Sequence, residues 1–212
     1  MNGARVAVLL SGRGSNFLAL HGAMERGEVP AHIVRVISNE ADAPGLARAH
    51  DLRLPVLCIP HRLEASREAH EAKVLAALRD ARVDWVCLAG YMRLLSATFV
   101  AQHPGRIVNI HPSLLPAFPG RDPQRQALEY GVRVSGCTVH LVDEGLDSGP
   151  IVLQRVVPVH DDDTVHELSA RILAEEHQAY PEALGLLLER RWRVQGRKVL
   201  FQGVGGRLPE VS

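Results

Sequence analysis

From Val6 to Val108 the chain repeats one pattern, in which a short and almost continuously apolar run is followed by a stretch with helical spacing. The apolar runs are Val6-Ala7-Val8-Leu9-Leu10, Ile33-Val34-Arg35-Val36-Ile37, Pro55-Val56-Leu57-Cys58-Ile59, Trp85-Val86-Cys87-Leu88-Ala89 and Arg106-Ile107-Val108. Lacking polar alternation, each reads as a strand covered on both faces. Helical signals lie between them, from Phe17, from about Pro44, and over Glu64 to Arg79. Strands joined through helices pair in parallel. The pattern therefore predicts an α/β fold with a doubly wound, mainly parallel sheet, whose ligands bind beyond the carboxyl ends of the strands.

After the fifth run the pattern changes. Ser135 to Val142 and Ile151 to Val159 are separated only by the Asp143 to Pro150 loop, which predicts an antiparallel, hairpin-like C-terminal addition. Thr164-Val165-His166-Glu167 has capping-box spacing, so a long helix is expected from there through Tyr180, broken or kinked at Pro181. Trp192 to Phe201 reads as a terminal hairpin around Gln195-Gly196, and the glycine-rich tail from Gln202-Gly203 onward is expected to be loose. Without a repeat or low-complexity linker, residues 1–212 read as one domain. A composition 46% hydrophobic but only 4% aromatic predicts an aliphatic core.

Lys plus Arg and Asp plus Glu both number 24, so bulk charge points to neither nucleic acid nor a membrane surface, and the expected partners are small molecules. No apolar stretch approaches the roughly 20 residues that span a bilayer. Cys58, Cys87 and Cys137 are expected as reduced, buried thiols, which suits the cytoplasm. Among the 11 histidines, His166-Glu167 lacks a second histidine because position 170 is Ala, and His50, His61 and His70 are expected on the surface. No metal is expected. Asp161-Asp162-Asp163 reads as a solvated run before a helix start.

Two segments carry chemistry. In Asn109-Ile110-His111-Pro112, residues i and i+2 at a strand end leave the same face, and Pro112 biases His111 toward an extended backbone. An amide and an imidazole, with a carboxylate such as Asp147, can steady an oxyanion and move a proton. In isolation, a turn asparagine and a satisfied histidine would fit the same residues. Ser11-Gly12-Arg13-Gly14-Ser15-Asn16 is a glycine-rich turn between strand and helix, where free N–H groups meet an anion. Phe17 stands where a dinucleotide fingerprint needs a small residue, and there is no Walker lysine. The loop suits a monophosphate, or is a plain turn with Ser15 or Asn16 as the helix cap.

These two segments, with Ala89 to Ser96, Asn109 to Pro116 extended through Leu114-Leu115, Gly136 to Asp143, and Leu146 to Pro150, resemble the folate-dependent formyltransferases over nearly the whole chain. The resemblance implies a Rossmann-like formyltransferase fold and transfer of a formyl group from 10-formyltetrahydrofolate, as co-substrate, to the glycine amine of 5-phosphoribosylglycinamide in purine biosynthesis. It makes Asn109, His111 and Asp147 catalytic, with Asp147 favouring the charged imidazole. It places Gly14, Ser15 and Asn16 on the phosphate, and Glu176 on the ribose hydroxyls. Arg67 would lie against the folate, although by itself it reads as a solvated helix-face arginine. Met92, Arg93, Leu94 and Leu95, with Asn109, Val142 and Asp143, would line the pterin slot, walled by Val100 and Ile107. A monomer or homodimer is expected. One departure is Gln124 in Arg121-Asp122-Pro123-Gln124, where relatives often carry a histidine. Formyltransferases for methionyl-tRNA and hydrolases of formyltetrahydrofolate use extra domains for which this chain has no room. A formyltransferase acting on a sugar-nucleotide amine stays open, as does a non-catalytic nucleotide-binding module in which Asn109, His111 and Asp147 cap turns.

Overall fold

The computed structural model describes residues 3–202; the expected loose tail, apart from Gln202, lies outside the described residues. Element order is β1 (Ala4–Leu10), α1 (Ser15–Glu25), β2 (Ala31–Ser38), α2 (Pro44–Asp51), β3 (Val56–Cys58), α3 (Arg67–Asp80), β4 (Trp85–Leu88), α4 (Ala97–Ala101), β5 (Ile107–His111), α5 (Pro123–Tyr130), β6 (Val134–Leu141), β7 (Ile151–Pro158), α6 (Val165–Glu189), β8 (Arg191–Gln195) and β9 (Lys198–Gln202). The strands of the described residues form one sheet in the order β3-β2-β1-β4-β5-β6-β7-β9-β8. From β3 to β5 all neighbours are parallel, while β6 pairs antiparallel with both β5 and β7. The terminal hairpin β8/β9 is antiparallel and joins β7 through a parallel pairing of Ile151 with Lys198.

The apolar runs explain the layers. Along β1, Val6, Val8 and Leu10 enter a core shared with Phe17 and Leu20 of α1 and Ile172, Tyr180 and Leu184 of α6, while Ala7 and Leu9 face a second core with Val74 and Leu78 of α3 and Phe99 of α4. Alternate side chains thus bury on opposite faces, and each large aliphatic one contributes about 1.5–3 kcal/mol. The strand order reverses at β1, flanked by β2 and β4, so the β1/β4 boundary is the crevice where such sheets take ligands.

Several local expectations change. Helix α6 runs unbroken through Pro181 to Glu189. A proline inside a helix costs ~3 kcal/mol, but Tyr180, Pro181, Ala183, Leu184 and Leu187 are all buried there, and their apolar burial outweighs the lost bond. The Tyr180 hydroxyl also lies 3.0 and 2.9 Å from the carbonyl oxygens of Leu88 and Val108, tying α6 to β4 and β5. Helix α3 begins at Arg67 rather than Glu64, because the Ser66 hydroxyl accepts from the Ala69 N–H. Thr164 and Glu167 form the expected capping box. Two helices went unforeseen, α4 and α5, and β3 is shorter than its apolar run. Cys58 is exposed, not buried, since β3 is the edge strand, whereas Cys87 and Cys137 are buried. His70 is buried at 1% exposure rather than solvated. Asp163 likewise leaves solvent to pair with Arg171 through both carboxylate oxygens, at 2.7 and 2.8 Å. Among the described residues no helix is long and apolar enough to cross a membrane.

Candidate active site

Asn109 and His111 stand at the carboxyl end of β5, where cross-strand register sets their neighbours. Asn109 faces His140 and His111 faces Thr138 across the β5/β6 ladder. Thr138 fixes the turn behind His111: its hydroxyl donates to the Ser113 carbonyl at 2.7 Å and accepts from the Leu115 N–H at 3.0 Å. Gln154 of β7 adds bonds from its amide nitrogen to Thr138 Oγ1 and the Leu115 carbonyl. The sheet itself therefore aims this segment.

His140 orients Asn109. Its Nδ1 lies 3.0 Å from the Leu141 carbonyl and must donate, which leaves Nε2 to accept from Asn109 Nδ2 at 3.1 Å. Burial lowers the His140 pKa, in keeping with that neutral form. One Asn109 amide hydrogen remains uncommitted. His111 is 5% exposed, and its Nε2 donates to the Phe118 carbonyl at 2.9 Å, so Nδ1 is the ring nitrogen turned to the carboxylate.

That carboxylate is Asp147, delivered by the loop between β6 and β7. Its Oδ2 accepts from the Gly120 N–H at 2.8 Å and lies 3.4 Å from His111 Nδ1, while Oδ1 is 3.8 Å from His140 Nε2. Asp147 has φ +49°, the left-handed region that costs an L-residue about 1–2 kcal/mol. The loop holds it there by its own bonds: Asp143 Oδ1 accepts from the Gly145 N–H and the Ser148 hydroxyl, at 3.0 and 2.6 Å. Gly149 permits the return, since a Cβ there would sit 1.8 Å from the Leu141 carbonyl oxygen. Asn109, His111 and Asp147 are thus brought together, and His140, to which the sequence reading gave no role, joins them. The signal was available only as a pairing between two strands.

At the end of β1, Gly14 has φ +73° and occupies the N-cap of α1, so neither Ser15 nor Asn16 caps it, and among the described residues no side chain caps that helix start. The N–H groups of its first turn are left for an anion. Asn16 Nδ2 donates to Glu176 Oε2 at 2.8 Å, both residues buried, which unites two residues 160 positions apart. Burial pushes the Glu176 carboxyl up to about 7, against the opposing bond from Asn16. With β4 alone between β1 and β5, the anion loop and Asn109 lie on strands roughly 10 Å apart.

The segment expected against the folate is more dispersed. Leu95 is buried with Ile107, packed on by Val100 and Val142, while Met92 and Leu94 are 71% and 52% exposed. An open cleft of about 530 Å³ is lined by Val100, Pro104, Val142, Asp143 and Glu144, and neither Met92 to Leu95 nor Asn109 lines it. Ile107 belongs to the core beneath. Arg67 Nε pairs with Glu71 at 3.1 Å, and Glu71 Oε1 in turn accepts from the Ser96 N–H, so Arg67 stands beside this segment. Among the described residues no group of three or more His, Cys, Asp or Glu is placed to hold a metal.

Residues 4–184 match the family model described as formyl transferase. A trifunctional purine biosynthetic protein adenosine-3 of Drosophila melanogaster is 51% identical over 87% of this chain, which spans only 14% of that protein's length. A phosphoribosylglycinamide formyltransferase of Escherichia coli is 38% identical, over 96% of this chain and 95% of its own. Among solved structures, glycinamide ribonucleotide transformylase 1 from Symbiobacterium toebii superposes with a TM-score of 0.91 at 49% identity, covering 93% of each chain.

Proposed function

The chain belongs to the formyl transferase family, and from that premise we propose that it transfers the formyl group of 10-formyltetrahydrofolate to the glycine amine of 5-phosphoribosylglycinamide, a step of de novo purine biosynthesis. The observation that carries the reading is the meeting of Asn109, His111 and Asp147 at one strand end.

The amine nitrogen attacks the formyl carbon, and the carbonyl electrons move onto oxygen. The uncommitted Asn109 amide hydrogen and the His111 imidazolium stabilise that oxyanion. Because Nε2–H is held by Phe118, proton exchange runs through His111 Nδ1, the edge facing Asp147. Asp147, 3.4 Å from that edge, takes up the proton released by the amine. Collapse of the intermediate breaks the bond to the folate nitrogen, which leaves with the Nδ1 proton of His111, and Asp147 returns to His111 the proton it took from the amine. No side-chain nucleophile is needed, so holding two substrates in alignment supplies much of the rate.

The ribonucleotide phosphate sits on Gly14, Ser15 and Asn16, and its ribose hydroxyls meet Glu176. The folate lies between Arg67, Met92 to Leu95, Val142 and Asp143, against Asn109. Residues 1–212 act as one formyltransferase domain in the cytoplasm, as monomer or homodimer, on small molecules without nucleic acid or membrane. The test is ultraviolet absorbance during incubation with 10-formyltetrahydrofolate. Loss of formyl-folate that depends on 5-phosphoribosylglycinamide is expected; loss with a sugar-nucleotide amine alone, or none with either, overturns the proposal.

A further inference from the structure

Tyr91 to Ser96 crosses the carboxyl edge of the sheet between β4 and α4, and helix α3 touches it at both ends. At the first end, the Tyr91 hydroxyl lies 2.8 Å from His70 Nε2. At the other, Glu71 accepts from the Ser96 N–H at 2.9 Å and from the Ser96 hydroxyl, while also holding Arg67. A third tie runs from the Met92 N–H to the Ser11 hydroxyl at 2.8 Å, and Ser11 in turn bonds Asn39. Between these anchors Met92 and Leu94 are exposed.

His70 is an uneconomical residue for packing. It is 1% exposed and, among the described residues, its Nδ1 is buried without a partner, so the bond to Tyr91 is what compensates for desolvating the ring. An apolar side chain would fill the space at lower cost, which argues that the polar contact serves geometry. Burial, followed by the nearby Arg93 charge, lowers the His70 pKa, and burial raises that of Tyr91, so the contact joins two neutral groups. A tyrosine with no such bond could turn, carrying Met92 and Arg93 with it.

We propose that consecutive residues His70 and Glu71 of α3 clamp the Tyr91–Ser96 loop, making His70 and Tyr91 positioning residues for the folate. This rests on the assignment of that loop to the folate. The experiment measures kcat, the KM of each substrate and thermal stability for the full chain, Tyr91→Phe, His70→Phe and the double variant. Tyr91→Phe removes one oxygen and keeps the ring. Loss of one such bond, about 1 kcal/mol, predicts a roughly fivefold rise in the folate KM, with kcat and the ribonucleotide KM unchanged. The double variant should be no worse than the worse single one, because both break one contact. A lowered melting temperature with an unchanged folate KM overturns the clamp. If the wild type transfers no formyl group, the functional reading fails instead, and calorimetric titration with tetrahydrofolate decides the clamp. Weaker binding by Tyr91→Phe then supports it, equal binding overturns it, and no binding by the wild type overturns both.

Discussion

At the end of β5 the functional groups are side chains aimed by cross-strand register, whereas at the end of β1 they are backbone N–H groups presented by a loop that Gly14 allows. Asn109 is held by His140, His111 by Phe118 and Asp147 by Gly120, so each group depends on a named neighbour. The anion loop instead offers backbone N–H groups that no N-cap side chain takes up, and its neighbours hold its carbonyls, the Gly45 N–H donating to Gly12 and Arg48 to Arg13. The first kind of site supplies interactions that grow as charge develops during reaction, and the second binds a charge that is the same before and after. Substitutions in the first should therefore lower kcat, and in the second raise KM.

The largest effect is expected at Asn109 and His111. Asn109→Ala and His111→Ala should each lower kcat about a hundredfold or more while leaving the protein folded, the usual consequence of losing an oxyanion donor. Steady-state transfer rates at saturating substrates, with a melting curve for each variant, check this. Near-normal turnover in both would break the comparison at its catalytic end.

Glu176 sharpens the other end through stability. Its folded carboxyl titrates at about 7, above the ordinary 4.5, so the group favours the folded state below 4.5 and loses that contribution as pH rises through about 7. Glu176→Gln has no charge to bury. It should gain on the wild type by roughly 3 kcal/mol between the acid and alkaline sides of that window. Denaturant unfolding on both sides tests it, and parallel curves would place the carboxylate in water.

A smaller effect belongs to Gly14. At φ +73° a β-branched residue is strained by about 1–2 kcal/mol, and a Cβ would meet Gly45 Cα at 3.0 Å. Gly14→Val should raise the ribonucleotide KM roughly tenfold and the folate KM less. Equal weakening by calorimetry would make the loop merely structural.

How far all this was legible in the sequence depended on how local each signal was. The parallel strands announce themselves because burial on both faces leaves unbroken apolar runs, and Thr164 with Glu167 marks a helix start within four residues. Helix α4 is only five residues long and α5 only eight, too short for either to show a clear period. Pro181 misled because the burial that overrides it comes from packing of α6 on α1, β6 and β7, which a reading of the helix's own residues does not show. At the site, Asn109 and His111 stood out as i and i+2 of one strand, but His140 becomes meaningful only when β5 and β6 are set in register. His70, expected on the surface, stands four residues before Val74 and eight before Leu78 on the buried face of α3, so the helical period already carried its burial and only its partner Tyr91 lay beyond that signal.

The most direct test of the comparison is the single-turnover rate of formyl transfer with both substrates bound, measured for wild type, Asn109→Ala and Gly14→Val. Asn109→Ala should be slowed about a hundredfold or more, while Gly14→Val, once enough ribonucleotide is present to saturate it, should react at the wild-type rate. Equal slowing of the two, or transfer at full speed without Asn109, would contradict a centre built on β5 side chains and an anion site built on β1 backbone.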